Sequence, residues 1–216
     1  MSAIAFSLRF FDYFTGRIMF QIKKTLLVSM LPALLSVALV TSVKASSEHH
    51  QHAKDLNFGS FTKENVLLTP KDYREWIFVG APVTPNDMND GKPAFPEFHN
   101  VYIDPTSWNH WKKTGEFRDG TVIVKELTSV GTKESASGNG YFPGEFNGIA
   151  AMVKDSKRYP DKPGNWAFFG FESYEARQGI MQADDACAAC HKTHAAQDMV
   201  FIQHYPVLRA AKPGEK

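Results

Sequence analysis

The sequence predicts an α+β fold, a roughly five-stranded antiparallel β-sheet with helices, in which a C-terminal helix carries a Cys-x-x-Cys-His motif. Three observations lead to it. Five short runs rich in apolar, β-branched and aromatic residues recur along the chain. The segments between them are turn chemistry or one short helix, too short for the crossovers that parallel strands require. The remaining helical pattern gathers at the end of the chain, as it does when helices and sheet segregate.

The first elements belong to export rather than to the fold. Lys23-Lys24, an apolar core from Thr25 to Val40 and the small-residue end Val43-Lys44-Ala45 have the three parts of a signal peptide. Residues 1–45 are therefore expected to be removed, with cleavage after Ala45. The apolar run is short and contains Pro32, which ranks a retained membrane anchor second. Residues 1–18 fit neither leader nor domain, and Met19 is an alternative start. Residues 46–66 read as a partly flexible N-terminal segment of the mature chain, and 67–216 as one folded domain. His49, His50 and His52 fit a flexible terminus better than a weak metal site.

Within the domain, Trp76-Ile-Phe-Val79, closed by Gly80-Ala-Pro82, is the first expected strand, and Phe98–Ile103 the second. Asp104-Pro105 is an N-cap followed by proline at the first helical position, and it opens a short helix that ends at Thr114-Gly115. Residues 121–127 form the third strand, and the Gly- and Ser-rich stretch 131–144 an exposed loop. Residues 147–153 make the fourth strand, Pro160–Gly164 a turn, and 165–171 the fifth strand. A helical stretch follows from Met181 to about Ala196. The whole chain of 216 residues has a net charge of +1. Without the basic leader a slight acidic excess remains, which gives no reason to expect nucleic acid or an anionic membrane as partner.

Chemistry concentrates in Cys187-Ala-Ala-Cys190-His191. Two thiols at i and i+3 share one face of a helical turn and can both reach the vinyl groups of a haem. The adjacent histidine then offers a ring nitrogen to the iron, the signature of c-type attachment. Cys187 and Cys190 are the only 2 cysteines in the chain, so no thiol is left over. A disulfide, a thioredoxin-like pair and half a zinc site are the alternatives. The thioredoxin pair expects a preceding βαβ strand, and zinc expects further ligands nearby. Attachment of c-type haem outside the bacterial cytoplasm agrees with the leader and implies a periplasmic location.

For the sixth iron position the tail offers His194, Met199 and His204. His194 is one turn from His191 and stays on its side of the ring. Met199-Val-Phe-Ile202 reads as an apolar packing run, with His204 still open. A distal side walled by strands then suits a small molecule better than simple electron transfer. On the third strand Ile123, Lys125 and Leu127 alternate with Val122, Val124 and Glu126. The pattern leaves open whether Lys125 points inward, faces outward or snorkels to the surface.

From about Leu67 to Ala211 the chain closely resembles the cytochrome P-460 family, mono-haem enzymes of ammonia-oxidising bacteria. The resemblance rests on Lys71-Asp-Tyr-Arg-Glu-Trp76, Val83–Asp87, Val101-Tyr-Ile-Asp-Pro105, Trp111–Thr121, Gly138–Phe142, Pro163–Phe169, Cys187–Lys192 and Tyr205–Arg209, in the same order. It implies an antiparallel sheet with helices, assembled as a homodimer. It implies one haem c, bound through Cys187 and Cys190, with His191 on the iron and the amine of Lys125 joined to a porphyrin meso carbon. The implied chemistry is oxidation of hydroxylamine at a five-coordinate ferric haem, giving nitric oxide or nitrous oxide, with a soluble electron-acceptor cytochrome as partner. Two positions depart from the pattern. The distal glutamate of hydroxylamine-oxidising members falls at Ala150, and an arginine of the second strand falls at His99, which leaves proton removal to water or to His99. Related sheet-type cytochromes c-prime bind nitric oxide without turnover and supply the competing expectation, with a plain electron carrier third.

Overall fold

Six chain segments build one antiparallel sheet in a computed structural model that describes residues 58–173 and 175–214. The expected leader, the start at Met19 and His49, His50 and His52 lie outside the described residues. Strands β1 (Ile77–Gly80), β2 (Phe98–Ile103), β3 (Val122–Val130), β4 (Pro143–Lys154), β5 (Trp166–Phe171) and β6 (Ile180–Met181) are neighbours in chain order. Every pair is antiparallel. The class is α+β, with one strand beyond the five expected. Two residues are too few to display a period of two, so β6 leaves no trace in the sequence pattern. The outer ends of β3 and β4 extend past their apolar runs because Thr128–Val130 and Pro143–Phe146 pair at the sheet's exposed end.

Between β2 and β3 runs α1 (Pro105–Thr114), opened and closed by the signals that predict it. Asp104 accepts the Ser107 N–H at 2.8 Å, and Gly115 closes the helix at φ 71°. The second Asp104 oxygen accepts the Val122 N–H at 2.9 Å, so one buried carboxylate caps the helix and fixes it to β3.

Both faces of the sheet are covered. One face carries Val101, Ile103, Ile123, Met152 and Phe168 and packs against Trp111, Ala188 and the tail residues Met199 to Ile202. The other carries Val122, Val124, Ile149 and Phe169 beneath Leu67, Tyr73 and Trp76. The helical stretch expected from Met181 begins later, as a π-helical turn, Asp184–Ala188, that runs into α2 (Ala189–His194). Met181 and Gln182 belong instead to the sheet edge, where the Gln182 N–H donates to the Phe168 carbonyl at 2.8 Å. The last helix among the described residues is α3 (Pro206–Ala211), which is tied to α1 by the Trp111 indole donating to the Leu208 carbonyl at 2.8 Å. Among the described residues no helix is long and apolar enough to cross a membrane.

Candidate functional site

Strand pairing decides which way Lys125 points. Lys125 lies opposite Val101 on β2 and Ala150 on β4, and Ala150 lies opposite Gly170 on β5. Directly opposed residues share a face. Lys125 and Ala150 therefore stand on the face that packs against Ala188, in the middle of the Cys-x-x-Cys-His segment. Ala150 and Gly170 are the smallest side chains of the row, which keeps the sheet low beside the lysine. Burial holds the Lys125 amine below the usual lysine range, although Cys187, Glu97 and Cys190 pull the other way. Its Nζ sits 3.9 Å from the centre of the Phe95 ring.

Cys187 lies in the π-turn and Cys190 in α2, and both thiols are free. π-Turns recur at functional sites because they re-aim side chains within a helix. Burial raises the Cys187 thiol above its ordinary pKa, with Lys125 working against it. His191 is wedged between Phe168 and Phe201, with ring centres 4.6 and 4.7 Å away. Its Nδ1 lies 2.6 Å from the Met199 carbonyl. A carbonyl only accepts, so Nδ1 carries the proton and Nε2 is left with the lone pair a metal needs. Two free thiols and one imidazole oriented through Nδ1 are the donor set a c-type haem requires. The alternatives find less support. The sheet contains only antiparallel pairs, and among the described residues no group of three or more His, Cys, Asp or Glu could hold a metal ion.

The three tail residues considered for the sixth position stand behind His191 or at the surface. Met199 stands behind the imidazole, because its own carbonyl receives Nδ1–H, and its side chain is buried in the core. His194 is exposed on α2. His204 is exposed and stacks on Phe201, the same ring that packs on His191.

His99 pairs with Leu127 two positions along from Val101, so it shares the Lys125 face. Its Nε2 is buried with no hydrogen-bond partner among the described residues, and Oε2 of Glu97 is in the same condition. The other Glu97 oxygen accepts from the Asn147 amide at 3.3 Å. Sequence reading singled out His99 and missed Glu97, which stands just before the first residue of β2 and so outside the strand's alternation. Burial first, then the Lys125 charge, lowers the His99 pKa from 6.5 to about 4, while a bond to the Phe95 backbone opposes the shift. The unfolded chain therefore takes up a proton between pH 6.5 and 4 that the folded chain refuses, and stability falls as pH drops through that window. His99→Leu is expected to move the acid-unfolding midpoint to lower pH, followed by circular dichroism. An unchanged midpoint would contradict the burial of a neutral imidazole.

No curated protein matches the chain. The sequence model of the family described as Cytochrome P460 matches residues 70–202, a span from the residue before Lys71 through the strands, the row around Lys125 and the motif to Ile202. With donors for a haem gathered on one sheet face and the family model covering more than half its length, the chain belongs to the cytochrome P460 family and is a haem protein of the c-type cytochromes.

Proposed function

We propose that the protein oxidises hydroxylamine at a haem held by thioethers from Cys187 and Cys190, with His191 as proximal ligand and the Lys125 amine joined to a porphyrin meso carbon. The observation that carries this reading is a partly buried lysine on the sheet face that packs against the motif, within electrostatic reach of both cysteines. Burial disfavours its ammonium form, and only the neutral amine is a nucleophile; the bond would replace one N–H and the meso C–H, with two protons released and two electrons passed to an external two-electron oxidant. The haem supplies an iron that binds hydroxylamine and takes up its electrons. The positions of His194, Met199 and His204 support an open sixth coordination site.

Conversion of hydroxylamine to nitric oxide releases three electrons and three protons. The Ala150 methyl accepts no proton. The unpartnered His99 Nε2 is available to accept a hydrogen bond, but its low pKa makes it a weak proton holder. Glu97 contributes a second acceptor oxygen without a partner among the described residues. We therefore favour nitric oxide as product, with nitrous oxide slow or absent. The leader-like residues 23–45 support a periplasmic location. The family resemblance supports a homodimer that passes electrons to a soluble acceptor cytochrome.

Binding of nitric oxide without turnover is the second reading, favoured by Ala150. Anaerobic incubation of the holoprotein with hydroxylamine and a chemical oxidant separates the two, because only the enzyme releases nitric oxide as the oxidant is consumed. Absence of oxidant consumption would favour the second reading. Attachment is tested by intact mass. Replacing Cys187 and Cys190 together with Ala is expected to remove both thioethers, and His191→Ala to change the ligand field of the ferric spectrum. An unchanged spectrum in His191→Ala would remove His191 from the iron.

A further inference from the structure

The carbonyl that receives His191 Nδ1–H is supplied by a backbone conformation that its residues disfavour. Residues 197–200 form a tight turn in which the Val200 N–H donates to the Gln197 carbonyl at 2.8 Å. The two residues at its tip, Asp198 and Met199, have φ of 45° and 64°. Such a turn is ordinarily built from Asn-Gly or Gly-Gly, because a Cβ crowds the backbone at positive φ. Methionine has neither the missing Cβ of glycine nor the short polar group that eases asparagine into this region.

A grip from the sheet holds the turn. Lys154, the last residue of β4, donates to both Asp198 oxygens at 3.0 and 2.8 Å and to the Gly164 carbonyl at 3.1 Å. Trp166, paired with Lys154 as the first residue of β5, donates its indole N–H to Asp198 Oδ1 at 3.2 Å. The Lys154 and Asp198 side chains are only 17% and 23% exposed, so water screens their attraction less than it screens a surface pair. Removal of either partner leaves the other charge largely enclosed and the turn without its anchor.

We infer that Lys154, Asp198 and Trp166 are positioning residues that hold the Met199 carbonyl against His191 and thereby set the reduction potential of the iron. The inference rests on His191 being the proximal ligand. A carbonyl 2.6 Å from Nδ1 draws the proton toward itself and makes Nε2 more basic. A more basic ligand stabilises ferric over ferrous iron and lowers the potential. When the turn relaxes toward negative φ the carbonyl swings away, that basicity falls and the potential rises.

The test uses the full-length holoprotein with Asp198→Ala, Lys154→Met and Asp198→Asn, measured by spectroelectrochemistry and by the Fe–His band in resonance Raman of the ferrous form. Asp198→Ala and Lys154→Met are expected to shift the ferric-to-ferrous equilibrium about tenfold toward ferrous, about 59 mV upward for one electron, and to lower the Fe–His frequency. Asp198→Asn tolerates positive φ and keeps one acceptor oxygen but not the charge, so its shift should be smaller than that of Asp198→Ala. If Asp198→Ala does not fold, Lys154→Met decides alone, since its apolar stem still packs on the sheet. Native potential and Fe–His frequency in Lys154→Met with full haem loading would overturn the inference. Absence of an Fe–His band from the native protein would overturn the assignment of His191 itself, a distinct failure.

Discussion

Replacement of Lys125 by leucine is expected to yield a folded c-type haem protein with an ordinary absorption spectrum and no hydroxylamine oxidation. The fold should survive because a leucine in that row faces Val101 and Ala150 and replaces a partly buried cation, which itself is costly to enclose. What disappears is the amine on the sheet face that lies within electrostatic reach of both motif cysteines. Under the proposed function the native haem has three covalent anchors, two through sulfur and one through nitrogen. Heavy-metal cleavage of the thioethers should therefore release haem from Lys125→Leu and leave it attached in the native protein, as read by intact mass. The native Soret band should be displaced relative to the variant. Retention of both the displaced band and full activity in Lys125→Leu would end the crosslink reading.

Ala150→Glu is expected to bring in rapid formation of nitrous oxide. Ala150 pairs directly with Lys125, so a carboxylate there would rise from the same face into the same space. A general base within hydrogen-bond reach contributes on the order of 10²–10⁴-fold, and both oxidation of bound hydroxylamine and attack by a second molecule require proton removal. Neighbouring Gly170 adds no side chain of its own, and the end of the flexible Gln182 side chain, which lies over it, would have to shift aside. Both gases should be measured in anaerobic turnover with excess hydroxylamine and a chemical oxidant, for the native chain and the variant. Rapid nitrous oxide from the native chain, with no gain in Ala150→Glu, would show that proton transfer does not depend on this position.

The strand order and the α1 caps were legible because alternation and capping are local signals. The direction of Lys125 was not, and the reason is physical. Alternation reports phase only when one face is polar, and here both faces are covered by apolar layers. Each face of β3 also carries a charged residue, Lys125 on one side and the buried Glu126 on the other. The two cysteines and His191 were legible because their spacing alone encodes the chemistry. The partner of His191 was not, since a backbone carbonyl has no residue signature. The Asp198-Met199 tip lacks the glycine or asparagine that ordinarily announces such a turn.

Glu126, directly behind Lys125, has a consequence for assembly. Its Oε2 receives the Tyr73 hydroxyl and the Arg74 guanidinium, the latter at 2.6 and 2.7 Å, all on the face away from the motif. Successive residues of β3 thus send opposite charges to opposite sides of one sheet. A strand that slipped by one residue would exchange them, driving the lysine toward Arg74 and the carboxylate toward the cysteines. Two like charges would then meet beside the half-exposed Arg74 and the buried tyrosine would lose its acceptor, a penalty absent from an all-apolar strand. The polypeptide can therefore reject misaligned sheets before any cofactor arrives, so that the amine is already waiting on the correct side.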